Sequence, residues 1–294
     1  MTPQKQKRNH WVPQSYLRSF AADIPKRRKV WTLSKTAGVP ELKSIKKVAV
    51  RFHLYTPRND NGSRDYAFES KLAGLEQLFG SPFWHIVSTG FPDLAQTATR
   101  KGLALLMAVM YLRNPLALCW MHDIHGELVE FFSGLDELPD EIEISGKVHN
   151  LYRESWPSYR DADGDAIKRM WLDQVGQAVW LAEILLEMRW SMLVSDEPVL
   201  ITTDNPVMVM HPSLRFRGFR NPETSVLFPL SSTRALSLDN RHAEPAGQFY
   251  DGGKIATCLN SLLWRDSIDL MFSSRHPDLV CAEIVERARQ EGFA

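Results

Sequence analysis

The sequence predicts an α+β fold with a small N-terminal sheet, a helical middle and a C-terminal antiparallel or mixed sheet. Short alternating or β-branched runs stand near the start, apolar residues recur at helical spacing through the middle, and strand-like runs return after residue 188. The 294 residues are 44% hydrophobic and 24% charged, as in an ordinary globular protein. Because a chain of this length can enclose one core, we predict a single domain over residues 1–294.

The first elements are a short helix and a few strands. The helix is expected from Pro13, since proline suits a first helical turn. The runs KVWTLS, KVAV and HLYT then predict two or three strands of a small sheet. FESKLAGLEQLF has apolar residues at helical spacing and predicts the next helix.

Two apolar helices are predicted in the middle, at 96–114 and 116–132, because Pro115 ends or kinks a helix. Their combined length suggests a membrane span, but Arg113 lies inside it. A charge at bilayer depth costs roughly 2.5 to 3.5 kcal/mol. We therefore predict two buried helices and no membrane partner. A further helix is expected from an N-cap at Asp165 to about Met188.

The last third is predicted to form one sheet followed by a helix, a strand and a helix. Its strands are expected at MRWSMLVS, VLITT, PVMVM, SVLFPLS and TRALSLD, because these runs are β-branched or alternating and are separated by turn residues. The closing elements are a helix over 255–264, the strand IDLMFSS and a helix over 279–289.

The charge is unevenly distributed although the sums balance. Residues 1–58 contain 14 basic and two acidic residues, about +12, which leaves 21 basic and 33 acidic residues, about −12, in the rest. A clustered basic segment can bind the phosphates of a nucleic acid. Alternatively, it docks on the acidic remainder of its own fold, and we favour this second interpretation.

The composition indicates a cellular location, and the motifs that the sequence lacks disfavour some classes of reaction. Three cysteines without short spacing argue against disulfides and a zinc knuckle, and the start has no secretory signal pattern, so a cytoplasmic location is expected. The sequence has no Walker loop, no Rossmann glycine pattern and no nucleophile elbow. Nucleotide-dependent and α/β-hydrolase chemistry are therefore disfavoured. Protein partners are not identified.

His10 is the first candidate for chemistry. It precedes the helix predicted from Pro13, where the helix dipole would lower the pKa of the imidazole and favour a neutral ring able to act as a base or a ligand. The alternative is that His10 caps the helix and bonds a backbone carbonyl.

A second candidate is the turn TTDNP, which follows the apolar strand VLIT. Asp204 in this turn can project a carboxylate into a cleft, where it would bind a metal or orient a base. The alternative is an Asx-turn in which Asp204 or Asn205 bonds the backbone. One Asp and one Asn do not make a metal site, so the cofactor is left open, with a divalent metal as one candidate.

Arg113 is the third candidate, because a guanidinium inside an apolar helix needs an anionic partner. If it faces Asp204 the pair is structural, and if it faces a cleft with His10 it is an anion clamp. Glu69 and Glu76 are seven residues apart and share a helix face, which we expect to be solvated.

Two metal-like patterns are given little weight. His122 and His125 lie on one helix without the remaining residues of a zinc motif. The acidic stretch 161–165 has its glycine at the fourth place of a calcium loop, where the sixth is required.

An ordered set of motifs resembles a known family. The set comprises His10-x-x-Pro13-x-x-Tyr16-Leu17-x-x-Phe20, Tyr55, the helix with Glu69 and Glu76, Tyr111-Leu112-Arg113-Asn114-Pro115, the TTDNPV turn and FPLS at 228–231. Together they resemble the bacterial domain of unknown function (DUF) family 4238 over nearly the whole chain. Thr203 departs mildly from the small residue or serine expected before the aspartate. The resemblance implies no reaction.

Two hypotheses about function follow. In the first, the protein is a phosphodiester hydrolase acting on nucleic acid, with His10 as acid or base, Arg113 as phosphate clamp and Asp204 as an orienting group or metal ligand. Asn205 and Tyr16 are then the expected substrate contacts. In the second, it is a non-catalytic binding or regulatory module in which the same motifs are structural.

Overall fold

The computed structural model describes residues 8–144, 147–215 and 218–292. It confirms the α+β class, with a small N-terminal ribbon, a helical middle and a mixed sheet built from the C-terminal third. The single-domain organisation stays a prediction.

The strands are β1 (Arg8–His10), β2 (Lys29–Ser34), β3 (Glu41–Ser44), β4 (Val50–Phe52), β5 (Glu141–Ile144), β6 (Lys147–Asn150), β7 (Arg189–Val194), β8 (Thr202–Thr203), β9 (Met208–Met210), β10 (Ser225–Ser231), β11 (Arg234–Asp239), β12 (Gln248–Asp251) and β13 (Leu270–Ser273). The helices are α1 (Gln14–Leu17), α2 (Ala67–Glu76), α3 (Pro82–Thr89), α4 (Thr97–Leu112), α5 (Pro115–Ser133), α6 (Trp156–Arg160), α7 (Gly164–Gly176), α8 (Ala178–Glu187), α9 (Ala256–Asp266) and α10 (Pro277–Gln290).

The N-terminal strands divide between two sheets. β1 pairs antiparallel with β4, which sets His10 opposite Val50. β2 and β3 instead join the C-terminal strands in the order β3-β2-β13-β8. The prediction of a strand at HLYT is wrong, because His53 to Tyr55 form a turn in which His53 has a positive φ of 55°. That conformation takes the backbone out of the extended region after β4.

The larger C-terminal sheet has the order β12-β7-β11-β10-β9, and it is mixed because β12 runs parallel to β7. The prediction that VLITT belongs to this sheet is wrong. Its strand, β8, pairs with β13 in the four-stranded sheet. Tyr16 of α1 packs in the core between the layers, with its ring stacked on Phe228 of β10 at 5.6 Å.

The helical middle has the predicted break at Pro115, where Asn114 caps α5 by accepting a hydrogen bond from the Leu116 amide. The prediction that both helices are buried is correct for α4 and wrong for α5, which exposes Trp120, Ile124 and Phe131. Among the described residues, no single helix has the length and hydropathy to cross a bilayer, and α4 and α5, which pass that test together, are bent by 55°.

The predicted helix from Asp165 to Met188 is two helices. Its N-cap is Asp163, whose carboxylate accepts the Ala166 amide at 2.7 Å, so Asp165 falls inside the first turn. Gln177 separates α7 from α8. α7 crosses behind the turn after β4, and α4 packs on α8, which together support the residues around Arg113.

Candidate active-site cleft

A polar cleft of about 270 Å³ opens between the β1–β4 ribbon, α1 and α2. Its polar lining consists of His10, Gln14, Ser15, Arg18, Tyr55, Glu69, Glu76 and Arg113. The structure therefore brings together two of the residues singled out in the sequence, His10 and Arg113.

His10 is held by the ribbon with one ring nitrogen engaged. Nδ1 lies 3.1 Å from the carbonyl oxygen of Val48, so the neutral ring donates through Nδ1 and leaves Nε2 as an acceptor. No described residue bonds Nε2, and the ring lines the cleft. Burial lowers the pKa of His10, although the bond to Val48 and the charge of Glu76 oppose the shift. The pKa of His10 is therefore lowered by burial, and not by the helix dipole that the sequence suggested.

Arg113 is buried, with 1% of its surface exposed, and is fully engaged on one side. Its Nη2 donates to Glu76 Oε1 at 2.8 Å and to the carbonyl oxygen of His10, and its Nε donates to the Tyr55 hydroxyl at 3.2 Å. Burial disfavours the charged form, but Tyr55 and Glu76 outweigh it and the pKa of Arg113 is raised. The partner of Arg113 is thus Glu76, and the alternative pairing with Asp204 is not formed.

Two carboxylates of α2 line the same cleft. Glu69 accepts the Asn9 side-chain amide at 2.6 Å, and burial, followed by the nearby charge of Glu76, raises the pKa of Glu69. The expectation of a solvated face is wrong, because both side chains are partly buried and point into the cleft. Sequence spacing places Glu69 and Glu76 on one helix face, but only the packing of α2 against the ribbon shows that this face lines the cleft.

Asp204 does not orient His10. Its carboxylate, 1% exposed, accepts the backbone amides of Ile268, Asp269 and Leu270 at 2.9, 3.0 and 3.0 Å. Burial, opposed by these hydrogen bonds, raises the pKa of Asp204 to about 6. The expectation that Asp204 supports the histidine is corrected by these contacts, since the backbone of the α9–β13 connection takes the whole carboxylate.

The turn and the cleft are nevertheless joined through sequence neighbours. Trp11 Nε1 donates to the carbonyl oxygen of Asp204 at 2.9 Å, and Asn114 Nδ2 donates to the same oxygen at 3.1 Å. Trp11 follows His10 and Asn114 follows Arg113. The three motifs of the sequence therefore meet, but Asp204 meets them through its main chain.

Asn205 and Tyr16 lie away from His10. Asn205 Nδ2 donates to Asp266 Oδ2 at 2.9 Å, and Asn205 lines a second cleft of about 410 Å³ with Tyr111, Trp120 and Asp266. Burial raises the pKa of Asp266 to about 6.

Tyr16 is fully buried and outside both clefts. Its hydroxyl donates to the Pro229 carbonyl at 2.7 Å and lies 2.8 Å from the Thr202 hydroxyl. Burial raises the pKa of Tyr16 well above its usual range. These contacts give Tyr16 a structural role, and they do not bring it to the substrate position expected from the sequence.

Metal-like patterns in the sequence have ordinary structural explanations. Across residues 8–144, 147–215 and 218–292, no three His, Cys, Asp or Glu side chains are arranged to hold a metal ion. Asp163 of the calcium-like stretch is the cap of α7, and His125 Nε2 lies 2.7 Å from the Tyr159 carbonyl oxygen.

The basic side chains of residues 8–58 form few contacts with the acidic remainder of the described chain. In the described part of the chain, no ion pair joins a lysine or arginine of residues 8–58 to an acidic residue beyond position 58. Apart from Lys43, the lysines and arginines of this stretch are exposed. The described part of the segment packs on the rest of the fold through the β2–β13 pairing and through Lys35, whose Nζ donates to the Arg265 and Ser267 carbonyls, while most of its other cations face solvent. Docking of the segment by ion pairs stays a prediction.

Comparison with known proteins yields a family and no reaction. A family model described as "Protein of unknown function (DUF4238)" matches residues 8–276. No curated protein and no solved structure matches the chain significantly.

Proposed function

The chain belongs to the DUF4238 family of proteins of unknown function, and we propose that it is a phosphodiester hydrolase acting on nucleic acid. The observation that carries the proposal is the geometry of His10, which is held at Nδ1 by a backbone carbonyl, has no described partner at Nε2 and lines a cleft together with Arg113. A neutral imidazole fixed in this way is suited to accept a proton from a nucleophile.

Glu69 complements His10 as the acid of the pair. Their environments move the two pKa values toward each other's usual range, since burial lowers the pKa of His10 and raises that of Glu69. Such a pair supplies a base and an acid in one site. His10 takes a proton from the attacking water, the water oxygen bonds to phosphorus as the phosphorus–oxygen bond to the leaving group breaks, and Glu69 donates a proton to the departing oxygen.

Arg113 stabilises the charge of the phosphoryl group in this scheme. Its Nη2 is committed to Glu76 and the His10 carbonyl, while no described residue bonds Nη1. Arg18 adds an exposed cation at the rim of the cleft. Because Glu76 balances Arg113, most of the long-range attraction for a polyanion comes from the exposed basic residues outside the cleft. A cytoplasmic location is part of this proposal.

The test is cleavage of labelled single- and double-stranded RNA and DNA, with and without magnesium or manganese. Replacing His10 by alanine should lower the rate about 10² to 10⁴-fold, the usual contribution of a general acid or base. His85, an exposed histidine of α3, is the matched control, and His85→Ala should keep the wild-type rate. A rate unaffected by His10→Ala would refute the proposal.

A second candidate function is a non-catalytic binding module. It is favoured by the saturation of Asp204 and Tyr16, whose polar groups bond the protein itself. Under this alternative, Glu69→Gln leaves both the melting temperature and the cleavage rate near their wild-type values. Under the hydrolase proposal the same change removes the proton donor and slows cleavage while the melting temperature is retained.

A further inference from the structure

An exposed aromatic ring stands on the ribbon that carries His10. Phe52 of β4 is 66% exposed, although it lies in a strand. Its cross-strand partner is Arg8, and its neighbours along the chain are Arg51 and His53. A large apolar ring held in solvent among cations offers a face on which a flat, electron-rich ligand can stack.

Cationic side chains converge on the turn that follows Phe52. Lys168 Nζ donates to the His53 carbonyl at 3.4 Å, and Arg64 Nη1 donates to the Thr56 carbonyl at 2.8 Å. Arg169 Nη1 donates to the carbonyl of Arg58 at 2.6 Å. Each cation is bonded to a main-chain oxygen, which holds it in place without neutralising its charge.

The like charges act on one another. Burial is the main cause that lowers the pKa of Lys168, and the charges of Arg64 and Arg51 add to it, while Asp165 opposes them. No ion pair within the described residues involves Arg51, Arg64 or Lys168. An anion placed among them would relieve this repulsion, and a phosphate is the anion that arginine and lysine clusters bind.

The backbone of the ribbon presents these groups in a fixed way. Ala49 and His53, on either side of β4, have positive φ values of 46° and 55°, an uncommon conformation for residues other than glycine. The strand between them is therefore short, with Val50 paired to His10 at one end and Phe52 at the other. An extended ligand bound along the ribbon would pass from the cations to the cleft.

We propose that the β1–β4 ribbon is a platform for single-stranded nucleic acid, on which Phe52 stacks a base and Arg51, Arg64 and Lys168 hold phosphates. This inference rests on the proposed function, because it names the substrate class and the path by which a strand reaches His10. Single strands are favoured because their bases are free to stack on a side chain, whereas in a duplex the base faces are covered.

The first measurement is fluorescence anisotropy with a labelled 12-nucleotide single strand, RNA or DNA, and the corresponding duplex. The His10→Ala chain is used so that the strand is not cut. Phe52→Ala should weaken binding of the single strand about tenfold, since stacking contributes roughly 1 to 3 kcal/mol per base. Phe131, 62% exposed on α5, is the matched aromatic, and Phe131→Ala should bind as the parent does.

The second measurement is the salt dependence of binding. Changing Arg51, Arg64 and Lys168 together to glutamine should reduce the slope of log K against log salt by about 2, since each single-strand phosphate contact contributes roughly 0.7. The control is Arg289→Gln, which removes an exposed arginine of α10.

The outcomes separate this inference from the hydrolase proposal. Unchanged affinity in Phe52→Ala, an unchanged salt slope in the triple variant, or binding of the duplex as tight as that of the single strand would overturn the inference, even if His10-dependent cleavage is found. Binding that follows both expectations with no cleavage by the wild-type protein would support the platform and refute the hydrolase. Phe52 is exposed, so its replacement should leave the melting temperature unchanged.

Discussion

The cleft around His10 and the turn around Asp204 are built from adjacent residues and satisfy their polar groups in opposite ways. His10 and Arg113 line the cleft, while their neighbours Trp11 and Asn114 bond the turn. In the turn every carboxylate oxygen of Asp204 has backbone donors. In the cleft, none of the described residues bonds Nε2 of His10.

The difference teaches that a buried polar residue in a motif is not by itself a sign of chemistry. Asp204 is more buried than His10, but its bonding capacity is used by the protein. A group with capacity to spare beside a cleft is the better candidate. Four variants test this division, in order of decreasing expected effect.

Asp204→Ala should have the largest effect on folding. It leaves three partly buried backbone amides without their acceptor, and an unsatisfied buried group costs roughly 1 to 3 kcal/mol. We expect the free energy of unfolding in urea to fall by at least about 3 kcal/mol. Asp60→Ala, at an exposed turn, is the control and should change it by less than about 0.5 kcal/mol. A small loss for Asp204→Ala would mean that the turn is not structural.

Glu76→Gln tests the pairing inside the cleft. It keeps an oxygen that can accept from Arg113 but removes the balancing charge of a buried guanidinium. Because Glu76 is partly exposed, we expect a loss of about 2 kcal/mol in the free energy of unfolding. Glu137→Gln, which breaks an exposed pair with Arg153, should cost clearly less, because solvent screens that pair. Equal losses at the two sites would contradict a buried role for Arg113.

Tyr16→Phe separates packing from hydrogen bonding in the core behind the turn. The ring stays against Phe228, while the Thr202 hydroxyl and the Pro229 carbonyl lose a partner. We expect a loss of about 1 to 2 kcal/mol by thermal or urea unfolding, with no change in nucleic-acid cleavage. Tyr152→Phe is the control at a tyrosine that is 66% exposed and should be neutral. Loss of cleavage without loss of stability would instead support the expected role of Tyr16 as a substrate contact.

Asp266→Asn should have the smallest effect and should be seen only in the pH dependence. Because burial raises the pKa of Asp266 to about 6, the folded protein keeps a proton that the unfolded chain releases near pH 4. The free energy of unfolding therefore falls as pH rises from about 4 to 6, by about 1 kcal/mol for this partly buried group. The variant should flatten that fall, and the slope that remains includes contributions from Asp204 and Glu69, whose pKa values burial also raises. An unchanged pH profile would show that the pKa of Asp266 is not raised in the folded protein.

Local features of the fold could be predicted from the sequence. Pro115 marked the helix break, and the run SVLFPLS coincides with β10. Asp165 was the wrong cap because Asp163, two residues earlier, satisfies the same capping chemistry, and a sequence does not say which of two aspartates has the extended backbone of an N-cap.

The candidate site could be predicted only in part. His10 and Arg113 stood out by their residue types, and the structure brings them together. The role of Asp204 and the orientation of Glu69 could not be predicted, because both depend on segments distant in sequence, the connection at 268–270 and the ribbon at residue 9. Hydrophobic periodicity reports which residues share a face and not what that face meets.

The pairing of β2 with β13 joins two strands that are far apart in the sequence, which affects how the protein folds during its synthesis. Leu33 lies opposite Met271, so β2 acquires this neighbour only after residues 34–270 have been synthesised. Contacts this far apart in sequence form late and slow the folding of a nascent polypeptide. Until the ribosome has released residue 273, the edge of β2 is open to other chains, and truncation before β13 should yield material that aggregates.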